Sequence, residues 1–196
     1  DWSSDVCSSD LNIPVHITGD REALQKATAL VVPGQGAFQQ VMTNLNRLDI
    51  TSVIRDHIEA KKPYLGICLG FQVLFEESEE NGLHKGLGIF KGRVQKFTHS
   101  DLKVPHMGWN QLKVVNDNNQ LFNQSQTPYA YFAHSYYVTS DDPDIVCTTT
   151  AYGHDFVSSV QTPTLLGTQF HPEKSGLTGL NLLKNFAENC LLKPND

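Results

Sequence analysis

The sequence lacks a long apolar run, paired cysteines and any cluster of positive charges. No segment approaches the about 20 apolar residues of a membrane-spanning helix, and the first residues lack the basic, apolar and small-residue pattern of a signal peptide. The four cysteines, at positions 7, 68, 147 and 190, lie far apart and form no Cys-x-x-Cys pair. This spacing is neither a zinc framework nor a disulfide scaffold, and it favours the reducing cytosol as the compartment.

The composition is that of an ordinary globular domain. The chain has 196 residues, of which 39% are hydrophobic, and its 15 Lys and Arg against 21 Asp and Glu give a formal net charge of −6. At roughly 150 residues per domain this length predicts one domain, which can bury about 70% of its unfolded surface without a disulfide or a metal. The acidic balance with scattered cations argues against a nucleic-acid surface.

The first half of the sequence alternates between strand and helix patterns. A short β-like run at residues 13–18 precedes a helix over residues 21–27, for which Asp20 is the expected N-cap. The apolar runs at residues 29–33 and 63–67 are typical of strands that are buried on both faces. Helical patterns follow these strands at residues 49–61 and 69–77. This alternation predicts βαβ units and an α/β fold with a mostly parallel central sheet flanked by helices.

The second half has a different texture. From residue 86 to about residue 169, short β-rich runs are separated by turn residues. A helix pattern with apolar residues on one stripe covers residues 176–192. We therefore predict a single α/β domain with a strand-rich second half.

A cysteine stands between a predicted strand and a predicted helix, in the segment Gly66-Ile67-Cys68-Leu69-Gly70. A glycine two residues to either side is typical of a nucleophile elbow, where a Cβ would collide as strand and helix fold back on each other. Backbone N–H groups at the start of the helix would favour the thiolate. The alternative is a buried cysteine that acts only as a small hydrophobic residue.

A later segment offers a base for this thiol. His171-Pro172-Glu173 follows an apolar run, and the proline favours an extended backbone at His171. Residues two apart in an extended segment project from the same face, so His171 and Glu173 can point towards one site. A thiol nucleophile needs a base, and the base needs an acceptor that orients it. We predict a catalytic triad of Cys68, His171 and Glu173; the alternative is a strand-end histidine beside a solvated glutamate.

A glycine-containing turn ends the first apolar run, at Pro33-Gly34-Gln35-Gly36. It does not fit a nucleotide-binding loop, because no third glycine and no Lys-Ser/Thr follow. An oxyanion hole fits better, with one backbone N–H near Gln35 and another at Leu69 facing the charge that develops on an acyl oxygen. A plain turn between strand and loop is the alternative.

These three motifs, in this order and at these intervals, resemble those of the class I (triad) glutamine amidotransferases. Within that class, about residues 12–192 are similar to the glutaminase subunits of imidazole glycerol phosphate synthase, which serve histidine biosynthesis. The narrower resemblance is carried by Pro105-His106-Met107-Gly108-Trp109-Asn110, Tyr131-Phe132-Ala133-His134-Ser135-Tyr136 and His171-Pro172-Glu173-Lys174-Ser175. The resemblance implies a flavodoxin-like fold.

The resemblance also implies a reaction, the hydrolysis of glutamine to glutamate and ammonia. Cys68 would attack the amide carbon, and main-chain N–H groups near Gln35 and Leu69 would hold the oxyanion. His171 would protonate the leaving ammonia, and Glu173 would orient His171. No metal and no organic cofactor is required. The residues implied to hold L-glutamine are Gly34, Gly36, Gln72, Ser135 and Tyr136, the last two through their backbone.

A partner protein is implied as well. Ammonia that escapes into water is protonated and lost, so such subunits work as heterodimers with a synthase, here a cyclase subunit that is a (β/α)₈ barrel. An exposed Trp and Tyr beside a catalytic mouth are plausible anchors, and ordinary packing is the alternative. The matching interface positions are Met107, Trp109, Asn110, Tyr131 and Lys174.

One segment departs from the family. Its members begin with a strand and a helix that we do not find in this sequence, where residues 1–10 stand in their place. We expect residues 1–10 to be a flexible arm or foreign to the native protein, and residues 11–196 to form the amidotransferase domain without that strand and helix. Three rival interpretations remain open. They are a glutaminase of pyridoxal phosphate, anthranilate or guanylate synthesis, a cysteine hydrolase that acts on peptides, and a binding-only protein.

Overall fold

The computed structural model describes residues 14–98, 102–115 and 128–192. The expected arm at residues 1–10 lies outside the described residues. The helices are α1 (Arg21–Lys26), α2 (Phe38–Arg47), α3 (Ile50–Glu59), α4 (Leu69–Gln72) and α5 (Gly176–Leu192), with short 3₁₀ turns at Pro143–Ile145 and Pro172–Lys174. None of the helices in these ranges has both the length and the apolar character needed to cross a membrane.

The strands are short and are concentrated after residue 60. They are β1 (Leu30–Val32), β2 (Tyr64–Ile67), β3 (Phe75–Ser78), β4 (His84–Lys85), β5 (Phe90–Lys96), β6 (His106–Gln111), β7 (Lys113–Val114), β8 (Tyr129–His134), β9 (Tyr136–Ser140), β10 (Val146–Tyr152), β11 (His154–Gln161) and β12 (Leu165–Thr168). The strand-rich second half is confirmed.

Most of these strands form one mixed sheet in the order β1-β2-β12-β11-β9-β5-β3-β4, with β10 paired to β11 and β7 paired to β10. Parallel pairing joins β1 to β2, β2 to β12 and β3 to β5. The pairs β11–β12, β9–β11 and β5–β9 are antiparallel. The α/β class with a central sheet and flanking helices is confirmed, but the parallel part is smaller than predicted. Strands that follow one another through short turns, such as β10, β11 and β12, can pair only in the antiparallel sense.

The two faces of the sheet carry separate apolar cores. Tyr64 and Leu165 lie in one core with Phe71 and side chains of α2 and α3. Their chain neighbours Leu65 and Leu166 lie in the other core, with side chains of β8 and α5. Neighbouring residues of β2 and β12 alternate between the cores because successive side chains of a strand point to opposite faces. The central strands are therefore buried on both faces, as predicted for residues 63–67.

Three local predictions require correction. Residues 14–18 form no strand, although α1 does begin after its Asp20 cap, whose carboxylate accepts from the Ala23 N–H. The run at residues 29–33 is not buried on both faces, because β1 ends the described sheet and Val31 is 49% exposed. The helix predicted over residues 69–77 stops at Gln72, and the residues that follow form β3 instead. Pairing of β3 with β5 overrides the local helical pattern there.

The close packing of α4 on β1 yields a stability prediction. A Cβ added at Gly70 would overlap the backbone carbonyl of Val32, whereas a Cβ at Gly19 would meet nothing within 4 Å. We expect Gly70→Ala to lower the free energy of unfolding by about 1–3 kcal/mol. Gly19→Ala is the matched control and should raise the free energy of unfolding by no more than about 0.5–1 kcal/mol. Urea unfolding of both variants measures the difference, and equal stability would contradict the packing described.

Candidate active site

The site forms where two neighbouring parallel strands end. β2 and β12 pair in register as far as Ile67 opposite Thr168. Cys68 follows β2, and its backbone N–H donates to the Thr168 carbonyl at 2.7 Å. His171 lies three residues beyond the end of β12. The carboxyl ends of parallel strands are where α/β sheets place their sites, so the strand pairing brings two distant parts of the sequence to one edge.

Cys68 occupies a strained turn. Its backbone has φ 54° and ψ −106°, in the positive-φ region that residues with a Cβ rarely adopt. The chain reverses so tightly that a Cβ at Gly66 would lie 2.5 Å from the carbonyl oxygen of Gly70. The elbow conformation predicted from the glycine spacing is therefore confirmed.

His171 and Glu173 form a close, buried pair. The Nδ1 of His171 lies 2.7 Å from Glu173 Oε1, and both side chains are largely buried. Burial lowers the pKa of His171, but the hydrogen bonds with Cys68 and Glu173 outweigh burial and raise this pKa to about 9. Burial acts to raise the pKa of Glu173, yet the bond with His171 holds it below its usual value. The structure thus pairs His171 with Glu173, and Cys68 contributes to the raised pKa of His171; the complete triad stays a prediction.

The backbone of His171 is held by the neighbouring strand β8. Its N–H donates to the Tyr131 carbonyl at 2.9 Å, and its carbonyl accepts from the Ser175 hydroxyl at 2.6 Å. The same hydroxyl accepts from the Tyr131 N–H at 2.9 Å. Because Ser175 is buried, these bonds are shielded from water and fix the turn that carries the imidazole.

The glycine-containing turn lies against the elbow. A Cβ at Gly34 would overlap Leu69 and would lie 2.5 Å from the Gly70 nitrogen, so the loop backbone passes directly beside the first turn of α4. Gly36 has φ 98°, which favours glycine. Leu69 is the first residue of α4, where backbone N–H groups have no partner within the helix. The structure therefore brings the predicted oxyanion segment next to Leu69, while the Gln35 side chain is exposed.

The predicted substrate residues on the other side of the thiol are joined by hydrogen bonds. Gln72 is buried and its amide donates to the Tyr136 carbonyl at 3.0 Å. The same Gln72 amide donates to Gln169 Oε1, also at 3.0 Å. The Ser135 carbonyl accepts from the Phe97 N–H at 3.3 Å, so this carbonyl already has a hydrogen-bond partner within the protein.

Two residues beside the site were not identified from the sequence. Gln169 is fully buried and its Nε2 lies 3.7 Å from the Cys68 sulfur. Glu80 accepts from the Phe38 N–H at 2.7 Å, directly after the predicted oxyanion segment. In the sequence Glu80 belongs to an acidic run that is typical of a solvated segment, and Gln169 is a single polar residue after a strand. Neither pattern distinguishes a site residue.

The predicted partner-facing residues divide between two faces of the small β6–β8 sheet. Met107 and Trp109 are 63% and 58% exposed, and the Trp109 ring lies edge-on to the Tyr131 ring at 6.3 Å. The Lys174 ammonium lies 6.0 Å from the centre of the same Tyr131 ring. Asn110 points the other way, because its amide donates to the Ala151 carbonyl and lies 3.2 Å from His106. The structure brings four of the five residues to one surface and turns the Asn110 side chain away from it.

This arrangement suits acyl transfer to a thiol. A cysteine lies on a strained turn at the same sheet edge as an imidazole, and a carboxylate orients that imidazole. Backbone N–H groups of the first turn of α4 lie beside the glycine-containing loop and are of the kind that stabilises an oxyanion. Within the described ranges no three His, Cys, Asp or Glu side chains are grouped to hold a metal ion.

Comparison with known proteins identifies the family. A family model described as "Glutamine amidotransferase class-I" matches residues 6–190. The chain belongs to the class I glutamine amidotransferases. The resemblance seen in the three sequence motifs is therefore confirmed.

Relatives of this amidotransferase carry a narrower name. The chain is 46% identical over 179 residues to "Imidazole glycerol phosphate synthase subunit HisH" of Salinibacter ruber, covering 88% of this chain and 82% of the relative. It is 48% identical over 172 residues to the protein of the same name from Aquifex aeolicus, covering 88% and 83%. These identities confirm the narrower resemblance to the subunits of that synthase.

A solved structure agrees on the fold of the amidotransferase. A crystal structure described as a glutamine amidotransferase matches with a TM-score of 0.72 and 20% identity, covering 94% of this chain and 90% of the other. At this identity the likeness concerns the fold alone. It supports the central sheet with flanking helices described above.

The pair of His171 and Glu173 yields a prediction on proton binding. In the folded amidotransferase the pKa of His171 is about 9, above its usual 6.5. While Glu173 is ionised, the raised pKa of His171 therefore stabilises the fold fully below about pH 6.5, and this contribution is lost as pH rises through about 9. Glu173→Gln keeps the shape and removes the charge, so we expect the pKa of His171 to fall by about one unit. NMR titration of the imidazole measures the change.

The same titration contains its own reference. Burial lowers the pKa of His134 to about 3, so this ring should stay neutral across the neutral and alkaline range in both proteins. A His171 pKa that is the same in the Glu173→Gln variant would contradict the electrostatic role assigned to the carboxylate.

Proposed function

We propose that this chain hydrolyses glutamine to glutamate and ammonia as the HisH subunit of an imidazole glycerol phosphate synthase. The observation that carries the proposal is the buried His171–Glu173 pair at the sheet edge where Cys68 occupies its strained turn, in a class I glutamine amidotransferase. An imidazole with a pKa of about 9 carries a proton at neutral pH, which it can give to a leaving group. The identity of nearly one half to proteins named HisH supports the synthase.

The first half of the proposed reaction releases ammonia. The Cys68 thiolate attacks the side-chain amide carbon of glutamine, and the carbonyl electron pair moves to oxygen. Backbone N–H groups near Gln35 and at Leu69 donate to this oxyanion. His171 gives its proton to the amide nitrogen, the carbon–nitrogen bond breaks, and a γ-glutamyl thioester remains on Cys68. Glu173 keeps the proton-bearing Nδ1 of His171 in place throughout.

The second half regenerates the enzyme. A water molecule takes the position that ammonia leaves, and neutral His171 accepts its proton as the water oxygen attacks the thioester carbon. The carbon–sulfur bond then breaks, so glutamate departs and the Cys68 thiolate again faces the imidazolium. The steps balance without a metal or an organic cofactor.

We propose that substrate glutamine binds beside the glycine-containing loop, on the side of the thiol where Gln72 lies. Gly34 and Gly36 are the residues proposed on one side, and Ser135 and Tyr136 those on the other, where the carbonyls of both already accept hydrogen bonds within the protein. Glu80 supplies a negative charge at the same end, since burial and the Glu80 and Glu79 carboxylates raise the pKa of Tyr136. A carboxylate that also accepts from the Phe38 N–H is suited to the α-ammonium group of an amino-acid substrate.

The partner proposed is the cyclase subunit HisF, a (β/α)₈ barrel that would consume the ammonia. The surface that fits a partner is the outer face of β6 and β8 together with the start of α5. It is a mainly apolar patch with one cation at its edge, and its residues are Met107, Trp109, Tyr129, Tyr131, Lys174 and Leu177. Aromatic anchors in an exposed patch are typical of protein interfaces.

The cytosol is the compartment that suits this chemistry. The nucleophile must be a reduced thiol, and Cys68 and Cys147 are both free. Cysteines without paired spacing are typical of chains that work in a reducing environment.

Selective labelling tests the nucleophile. A chloromethyl ketone analogue of glutamine should modify Cys68 and leave Cys147 unmodified, because burial raises the pKa of Cys147 to about 11. Cys68→Ala should lower glutamine hydrolysis in the complex by about 10³-fold or more while the chain still unfolds cooperatively. Peptide mapping by mass spectrometry locates the label, and ammonia release measures the activity.

A matched variant keeps this test specific. Cys147→Ala removes the other described free thiol and should retain both labelling and activity. Labelling at Cys147 in place of Cys68 would refute the assignment. Peptide cleavage without ammonia release would favour a cysteine hydrolase, and ammonia release only with a different synthase would favour one of the rival glutaminases.

Docking on the cyclase is tested with two exposed leucines. Leu177 lies on the proposed partner surface and is 76% exposed, and Leu83 lies in the turn before β4 and is 71% exposed. Leu177→Ala should weaken binding to HisF by about tenfold, since an interface leucine loses its buried contacts. Leu83→Ala should leave the dissociation constant within about twofold. Isothermal titration calorimetry measures both constants, and equal effects of the two changes would contradict the surface assigned.

A further inference from the structure

We propose that Gln169 is a further catalytic residue, which donates a hydrogen bond from its side-chain amide to the Cys68 sulfur and so stabilises the thiolate. The Nε2 of Gln169 lies 3.7 Å from Cys68 Sγ, within reach of a hydrogen bond to sulfur. The inference rests on the proposed function, because it concerns the same sulfur. It adds a donor that neither the triad nor the oxyanion segment contains.

Because Gln169 is fully buried, the polar atoms of its side chain need hydrogen-bond partners within the protein. Its side chain has no exposed surface, and a buried amide that lacks hydrogen bonds costs about 1–3 kcal/mol. Its Oε1 accepts from Gln72 at 3.0 Å and its backbone N–H donates to the Ser158 carbonyl at 2.9 Å. The sulfur of Cys68 completes this set as the acceptor for its NH₂ group.

The orientation of the Gln169 amide follows from donor and acceptor chemistry. A backbone carbonyl can only accept, so the Gln72 atom that lies 3.0 Å from the Tyr136 carbonyl must be its NH₂ nitrogen. The same nitrogen lies 3.0 Å from the Gln169 amide, which must present oxygen there. The NH₂ group of Gln169 is then the end that faces Cys68. The opposite orientation would place two NH₂ groups against each other and an oxygen against the sulfur.

The Tyr136 carbonyl that starts this chain of bonds is itself held. His134 Nδ1 lies 2.7 Å from it and must donate, which leaves His134 Nε2 to accept from His106 Nδ1 at 2.9 Å. Burial lowers the pKa of His106 to about 4 and that of His134 to about 3, so both rings are neutral and their tautomers are fixed. His106 Nε2 accepts from the Asn110 amide at 3.2 Å. The carbonyl therefore cannot turn away from Gln72 without breaking several buried bonds.

A second cysteine shows the opposite arrangement. The thiol of Cys147 lies 3.8 Å from Gln161 Oε1 and donates to it. Burial raises the pKa of Cys147 to about 11, and a hydrogen bond with the Ser159 side chain opposes this rise. Both buried cysteines face a glutamine amide, but Cys147 faces the oxygen and Cys68 faces the NH₂ group.

Alkylation kinetics of the full chain test the proposal. The probe is iodoacetamide, and the rate of Cys68 modification is measured from acid to alkaline pH by mass spectrometry. In Gln169→Leu we expect the midpoint of the pH profile to move up by about one unit and the rate at neutral pH to fall about threefold to tenfold. Gln169→Glu keeps the shape and places a carboxylate beside the sulfur, so its midpoint should move further in the same direction.

The alkylation rate reaches a plateau at alkaline pH, and its height distinguishes the loss of a hydrogen-bond donor from a distortion of the site. A thiolate without its donor is at least as nucleophilic, so the plateau rate should not fall in Gln169→Leu. A residue that only fills space would, when replaced, change access at every pH and leave the midpoint where it is. Gln161→Leu, at the other glutamine that faces a cysteine, is the matched control and should leave the Cys68 profile unchanged. An unshifted midpoint in both Gln169 variants overturns the proposal.

A measurement on the unsubstituted chain covers the case in which a Gln169 variant does not fold. The chain is produced with ¹⁵N in the side chains of its glutamine residues and observed by NMR. Alkylation of Cys68 should shift the side-chain NH₂ resonance of Gln169 and leave that of Gln161 in place. No shift at Gln169 overturns the proposal. Glutamine hydrolysis by the unsubstituted complex is followed in parallel. If the unsubstituted complex does not hydrolyse glutamine, the proposed function is refuted. If it does, but the alkylation profile of the Gln169 variants is unshifted, only the role of Gln169 is refuted.

Discussion

The in-register pairing of β2 with β12 is the constraint on which the rest of the site depends. It sets Cys68 beside Gln169, although the two lie 101 residues apart in the sequence. A slip of one residue would turn every side chain of one strand to the opposite face. Tyr64 and Leu65 prevent such a slip because each is fully buried in a different core. Apolar packing on both faces of the sheet therefore fixes the geometry of the polar groups at its edge.

A second connection runs from the site to the small β6–β8 sheet. Tyr131 pairs with Trp109 across that sheet, and its ring contacts Trp109 and lies beneath the Lys174 ammonium. The backbone of Tyr131 meanwhile accepts from the His171 N–H and donates to Ser175. One residue thus contributes its side chain to the proposed partner surface and its backbone to the turn that carries the base. A partner that displaces β8 would move a direct hydrogen-bond acceptor of His171.

Residue spacing in the sequence was sufficient to predict the parts of the site that depend on local geometry. The glycines around Cys68 specify a strained turn, and the proline after His171 fits a backbone that is extended there, with φ −96° and ψ 100°. What depends on distant pairing was not predictable in this way. The segment that became β3 has a helical pattern and is extended only because β5 lies beside it. Asn110 has the same motif context as Trp109, but alternation along β6 turns its side chain inward. Gln169 carries no pattern at all, and only its position next to the sulfur reveals it.

The polar groups behind the thiol are costly for stability, and that cost is itself informative. Gln72, Gln169, His106 and His134 are all buried, and a core built from apolar side chains of similar size would avoid their desolvation. Each of them is satisfied by the next, from the Asn110 amide to the Tyr136 carbonyl and from there to the Gln169 amide. In such a chain a single apolar substitution leaves a neighbour unpaired, so the members stabilise the fold only as a set. A set of this kind has one property that apolar packing lacks, which is direction: it determines which end of the last amide meets the sulfur.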